Sequence, residues 1–285
     1  VFELLTDLTE KDVNICLTVL AAAGIFCQTS RQLNRWTLSV NDEDREKALF
    51  EIESYYRENN RLIRDTPEDS LPPLDFSSGI LAALVILAFH IAIIRYTGME
   101  FFLNTFGASA SSIRHGELYR IVTALFLHSS AMHLFGNMTG LVFLVPVVCR
   151  IQGFGAGLLS ILISGAFGNY INAHFYQKDH LSIGASTAVF GAVGILVAYR
   201  FVIALRSPRQ RFKIWMPIGS GLCLLGLFSA GEHTDILAHL FGFSCGMASG
   251  YLFHRILKEP PRPFYQYLAF SAVLSIILLS WIRAW

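Results

Sequence analysis

"GASTAVFGAVGILVAYRFVIAL", Gly184 to Leu205, decides how this chain is read. It carries no charge before Arg200, and its length matches the roughly 20 apolar residues that span a bilayer. Small residues recur along it at Gly184, Ala185, Ala188, Gly191, Ala192 and Gly194, and small residues let membrane helices approach closely. Near its start, just after the polar stretch "YQKDHLS", stands Ser186. A hydroxyl there is either a helix cap or a nucleophile held below a membrane surface.

Outward from this run the pattern repeats. Further apolar spans are predicted at 79–97, 131–150, 154–175, 212–230, 236–257 and 264–282, which makes seven with 184–205. Charged residues are 15% of the 285, against 53% apolar, whereas soluble domains carry about 25% charge. The fold class expected is therefore an all-α polytopic membrane protein. Between the first two spans, 98–130 mixes the aromatic pair Phe101 and Phe102 with small residues and charges. It is too polar to span and is expected in the membrane interface, with an amphipathic piece.

In front lies a water-soluble segment. "TEKDVNICLTVLAAAG" has an acidic first turn, helical spacing and a terminal Gly24, and reads as a helix. "IFCQTS" and "RWTLSV" flank a polar turn and read as a hairpin. "NDEDREKALFEIESYYRENN" carries an apolar stripe at Ala48, Leu49, Ile52 and Tyr56 and reads as an amphipathic helix. The expected order is strand, helix, strand, strand, helix: a small α+β domain over 1–65. "RDTPEDSLPPLD" supplies a Pro-rich acidic linker, placed at 66–78. The membrane core would then occupy 79–257, with an additional C-terminal span in 258–285.

The net charge of +1 is uninformative about partners, and no basic stripe suits nucleic acid. Cysteines 16, 27, 149, 223 and 245 are scattered without a CxxC pair and read as packing residues. There is no HExxH and no GxxxxGK[ST], so no metal, nucleotide or other cofactor is expected. The chain opens on Val1 without a basic region and short apolar run, so no cleavable signal is expected.

Lysine and arginine bias sets orientation. With the N-terminus cytoplasmic, the inner loops hold Arg150, then Arg206, Arg209, Arg211 and Lys213, then Arg255, Lys258 and Arg262. The outer loops "YQKDH" and "AGEHTD" hold only Lys178, and the long first loop adds Arg114 and Arg120. The expectation is a multi-pass protein of the inner (plasma) membrane, N-terminus inside and C-terminus outside.

Polar groups at membrane depth are costly and ask for a reason. Counting from the inner ends at about 1.5 Å per residue, Ser186 lies roughly 21 Å above Arg200, and His239 about 24 Å above Arg255. On the same scale Asn137 and His133 lie about 20 and 25 Å above Arg150. All four fall on one level, roughly 5–10 Å below the outer edge of a ~30 Å core. His133 and Asn137, at i and i+4, share a helix face, and His128 precedes them near the mouth. His239 is followed by Gly242, Gly246 and Gly250 on nearly the same stripe. Taken singly, a serine at a helix start is most often a cap or back-bonding hydroxyl. Glycine stripes are usually packing, a lone histidine bonds a carbonyl, and Phe190 reads as core. Taken together, a hydroxyl and an imidazole on two closely packed helices meet the need of a Ser–His dyad.

The segments "ELYRIVTALFLHSSAMHLFGNM", "GASTAVFGAVG" and "AHLFGFSCG" resemble the signatures of rhomboid intramembrane serine proteases, in order and over about residues 80–255. The soluble front resembles, less specifically, the cytoplasmic domain of some bacterial rhomboids. The resemblance implies a six-helix core plus a seventh span, and a protease whose substrates are single-span or polytopic membrane proteins. It implies Ser186 as nucleophile, His239 as general base, and His133 and Asn137 as oxyanion donors beside the Ser186 N–H. Tyr119 and Arg120 would brace the first outer loop, Phe190 would pack on the catalytic imidazole, and His128 would stand near the route of water. Thr187 stands where Gly is common and is expected to add bulk beside the nucleophile and narrow the substrate range. Two rivals are a catalytically inactive rhomboid-like protein that binds membrane clients, and a transporter. The first should lack the serine or histidine; the second needs polar groups along a through-path. Substrate identity and oligomeric state are open at this stage.

Overall fold

The computed structural model describes residues 2–32, 35–64, 73–96, 99–176, 178–206, 215–228, 235–257 and 260–284. Most of the expected linker, the inner-loop residues Arg209, Arg211, Lys213 and Lys258, and residues 229–234 of the outer loop lie outside the described residues. The chain divides into two compact units, Val1–Leu71 and Pro72–Trp285.

The first unit runs β1 (Phe2–Leu8), α1 (Glu10–Ala22), β2 (Cys27–Gln32), β3 (Arg35–Val40) and α2 (Arg45–Arg64). Its order is the one the sequence predicts. β3 lies centrally, antiparallel to both neighbours, in a sheet ordered β1-β3-β2. Thr9 caps α1 by accepting from the Asp12 N–H, as a hydroxyl at an N-cap does. One face of α1 and one of α2 (Val13, Cys16, Leu20, Ala48, Ile52) are buried, as are Leu4, Leu38 and Val40 of the sheet.

The second unit is helical. α3 (Ser77–Tyr96) leads into the short helix α4 (Met99–Phe106), the two-residue strand β4 (Ala108–Ser109), and the single turns α5 (Ala110–Arg114) and α6 (Arg120–Thr123). Then come α7 (Ala131–Gln152), α8 (Phe154–Phe175), β5 (Leu181–Ser182), α9 (Ser186–Arg206), α10 (Trp215–Phe228), α11 (Ile236–Ile256) and α12 (Pro263–Arg283). Six of these, α3, α7, α8, α9, α11 and α12, are long and apolar enough to cross a membrane. The protein is thus a multi-pass membrane protein with a small α+β front.

The span predicted at 212–230 is described over the 14 residues of α10, short of a full crossing among the described residues. Thr187, Gly191 and Ile195 of α9 face Gly242, Gly246 and Gly250 of α11 in that order, so α9 and α11 run parallel. The chain leaves one end of α9 and enters α11 at the opposite end. Between them, α10 is described over Trp215–Phe228.

The α9–α11 contact is backbone on backbone. A Cβ on Gly246 would overlap the Gly191 carbonyl, and one on Gly250 would sit 2.8 Å from the Ile195 Cα. A stripe without side chains permits this approach. Around it, Leu141, Val145 and Val148 of α7, Ile161, Leu162 and Ala166 of α8, and Ala188, Ala192 and Ile195 of α9 form the core. At the α7–α8 turn the α12 side chain Gln266 accepts from the Ala156 N–H (3.0 Å) and donates to the Gln152 carbonyl (3.1 Å).

Candidate active site

Gly184 has φ +110°, a conformation that only glycine holds without strain. It turns the chain from β5 into α9. The Ala185 carbonyl takes the first helical bond, from the Val189 N–H (2.9 Å). Ser186 is thus the first helical residue, and its N–H has no acceptor within the helix. The missing side chain at Gly184 leaves a notch that α7 fills. A Cβ there would lie 2.5 Å from His133 Nε2 and 3.4 Å from Asn137 Nδ2. Both groups therefore point across Gly184, two residues from Ser186. The Asn137 amide nitrogen is buried with no acceptor among the described residues. Ser130 caps α7 by accepting from the His133 N–H (3.2 Å), and Ser129 Oγ lies 3.4 Å from His133 Nδ1.

His239 lies in the first turn of α11 and is buried. Its imidazole stacks on Phe190, with ring centroids 4.5 Å apart and planes at 29°. Phe190 is one turn after Ser186 on α9, and helical side chains lean toward the N-terminus. The imidazole sits on the Phe190 ring. The half-buried Ser186 and the buried His239 thus share one end of the parallel α9–α11 pair.

His128 is completely buried. Its Nε2 accepts from the Ala185 N–H (3.4 Å), so it holds the loop directly before Ser186. Burial, with His133 and His90 alongside, pushes its imidazole down to about 3, which keeps the ring neutral and Nε2 free to accept.

Tyr119 and Arg120 stand at the base of the 99–126 segment. The buried Arg120 guanidinium donates to Glu117 (2.6 Å) and to the Asn104 and Gly107 carbonyls (2.8 and 3.0 Å). The Tyr119 hydroxyl donates to the same Glu117 oxygen at 3.1 Å. The Arg120 contact holds the Glu117 carboxyl below its ordinary range. β4 then pairs with β5, Ala108 opposite Ser182, so the loop that Arg120 ties down is joined to the strand leading into Gly184.

Thr187 corrects an expectation. Rather than crowding the nucleophile, it is buried and its methyl faces Gly168 of α8 and Gly242 of α11. The Thr187 methyl is taken up in the three-helix contact.

One cluster escapes sequence reading. Asp235 caps α11, accepting from the Ala238 N–H (3.0 Å), the Asn172 amide (2.7 Å) and His180 Nε2 (2.7 Å). Burial pushes its carboxyl up, but these donors outweigh burial and the net shift is downward. Only the cap was readable, as an Asp just before an apolar run. The Asn172 and His180 contacts join residues more than fifty positions away.

This site, on this helical bundle, belongs to the class of polytopic membrane proteins with a polar centre built from several spans. Comparison with known proteins narrows it. The rhomboid domain family profile matches residues 115–256. The chain is 28% identical over 240 residues to rhomboid-like protease 3 of Toxoplasma gondii, covering 80% of this chain and 90% of that protein. It is 27% identical over 169 residues to rhomboid-like protease 1 of the same organism, covering 58% and 57%. To the rhomboid protease GluP of Bacillus subtilis it is 29% identical over 182 residues, covering 62% of this chain and 33% of that protein. The chain belongs to the rhomboid family.

Proposed function

We propose that this protein is an intramembrane serine protease that cleaves membrane-protein substrates with a Ser186–His239 dyad. The observation that carries the reading is the His239 ring stacked on Phe190, one helical turn after Ser186. Ser186 Oγ attacks the substrate carbonyl carbon while the imidazole takes its proton. The oxyanion meets the Ser186 N–H, His133 Nε2 and Asn137 Nδ2, each worth on the order of 3 kcal/mol. When Ser129 donates to His133 Nδ1, the ring proton sits on Nε2, the atom that faces Gly184. The imidazolium then protonates the departing amine as the C–N bond breaks. Water, deprotonated by His239, hydrolyses the remaining acyl ester and frees Ser186.

The charge bias of the loops supports a cytoplasmic N-terminus and a site opening outward in the plasma membrane. The substrates fitting such a site are helix-weak transmembrane segments near the outer surface. The test is cleavage of a model transmembrane substrate by the purified protein in proteoliposomes. Wild type should yield product, and Ser186→Ala and His239→Ala should lower kcat by at least about a thousandfold. Equal product from all three would reject the dyad, and a wild type that binds the substrate without cutting it would favour an inactive client-binding protein.

A further inference from the structure

The dyad residues come from two helices whose starts are reached by separate loops, so something must fix one start against the other. We propose that Asp235 is a positioning residue for the dyad: one carboxylate that ties the first turn carrying His239 to the loop delivering Ser186 and to α8. The inference rests on the protease reading above.

Asp235 Oδ1 accepts from Ala238, the residue before His239, and its carbonyl accepts from the His239 N–H at 3.2 Å. The first turn of α11 is thereby pinned at the residue that carries the imidazole. Asp235 Oδ2 accepts from His180 Nε2 and from Asn172 Nδ2, both at 2.7 Å. His180 stands six residues before Ser186 and stacks on Tyr176 with ring centroids 3.9 Å apart. Its own carbonyl accepts from the Ala110 N–H (2.8 Å). Beyond it the strand β5 is held by β4, and Gly184 by its N–H to the Ala124 carbonyl (2.9 Å). The path from His180 to Ser186 is therefore short and braced. The Asp235 carboxylate is little exposed, 13% against 30% for the His180 side chain, and a buried charge retained at such a place needs its donors in fixed positions.

A role limited to folding would make every loss follow unfolding. Positioning predicts a selective loss, because displacement of a catalytic group by about 1 Å can cost on the order of a hundredfold in rate. The experiment uses the full chain in proteoliposomes, with wild type, Asp235→Ala, His180→Ala and His180→Gln. Glutamine keeps an N–H donor for Asp235. Asp235→Ala and His180→Ala should lower kcat about ten- to a hundredfold with KM within about twofold, and His180→Gln should recover most of what His180→Ala loses. Hydrogen exchange gives a readout independent of activity. His180→Ala should speed exchange of the Ala238 and His239 amides across the site, and Asp235→Ala that of the 181–186 segment. Unchanged exchange at the opposite partner overturns the proposal, whether or not the wild type cuts. So does a kcat within twofold of wild type in Asp235→Ala, or a His180→Gln no better than His180→Ala. Failure of the wild type to cut, with the exchange coupling intact, counts against the protease reading and leaves the mechanical tie standing.

Discussion

At the scale of single residues, apolar surroundings make a polar group conspicuous. Ser186, His239, His133 and Asn137 stand out in the sequence because each interrupts a hydrophobic run at one depth, where an unpaired polar atom is costly. The sequence did not reveal the Asp235 cluster, since Asn172 and His180 meet it only through tertiary packing. Nor did it reveal that the Thr187 methyl turns into the helix contact. His128 gives a prediction at this scale. Its ordinary value near 6.5 is depressed to about 3 in the folded chain, so between those values the unfolded chain binds the extra proton. The stability linked to His128 is thus fully present above pH ~6.5 and is lost progressively toward pH 3. Thermal unfolding in detergent across that window should show the wild type losing stability faster on acidification than His128→Asn; parallel curves would contradict the assignment.

At the scale of elements, the long spans and the soluble hairpin were readable, because each has length and periodicity. The pieces between α3 and α7 were not: β4 and β5 have two residues each and α6 four, too short for any period to declare itself. The glycine stripe was readable in sequence, and the structure adds its partner. Gly246→Ala should force α9 and α11 apart, since its Cβ overlaps the Gly191 backbone. Overpacking of this kind costs about 1–3 kcal/mol, and proteolysis should fall with it. Gly136→Ala, where nothing lies within 4 Å of the new Cβ, is the control. It should leave stability unchanged or raise it by up to about 1 kcal/mol through helix propensity. Unfolding temperatures of the two variants check both, and equal values would remove the stripe as the cause of close packing.

At the scale of the whole molecule, α12 lies beyond the matched family region of 115–256 yet is packed into the same bundle. Its Trp281 ring meets Phe89 of α3, Phe106 of α4 and Phe126, with centroids 5.1, 4.9 and 6.4 Å away. One side chain near the end of the chain thus locks the first span to the segment that Arg120 braces. The sequence marked α12 as a span but carried no sign of where it docks, because docking is decided by which aromatic faces meet. Removing a largely buried Trp costs on the order of 3 kcal/mol. Trp281→Ala should lower the unfolding temperature clearly and Trp281→Phe much less; a silent Trp281→Ala would mean that α12 is a passive attachment.

A Ser–His dyad requires an activated Ser186, and covalent labelling tests that most directly. A serine-directed fluorophosphonate incubated with the native protein, followed by peptide mapping, should modify Ser186 and no other serine. The label should be lost in His239→Ala while Ser186 is still present. Labelling that persists without His239, or that falls on another serine, would contradict the dyad.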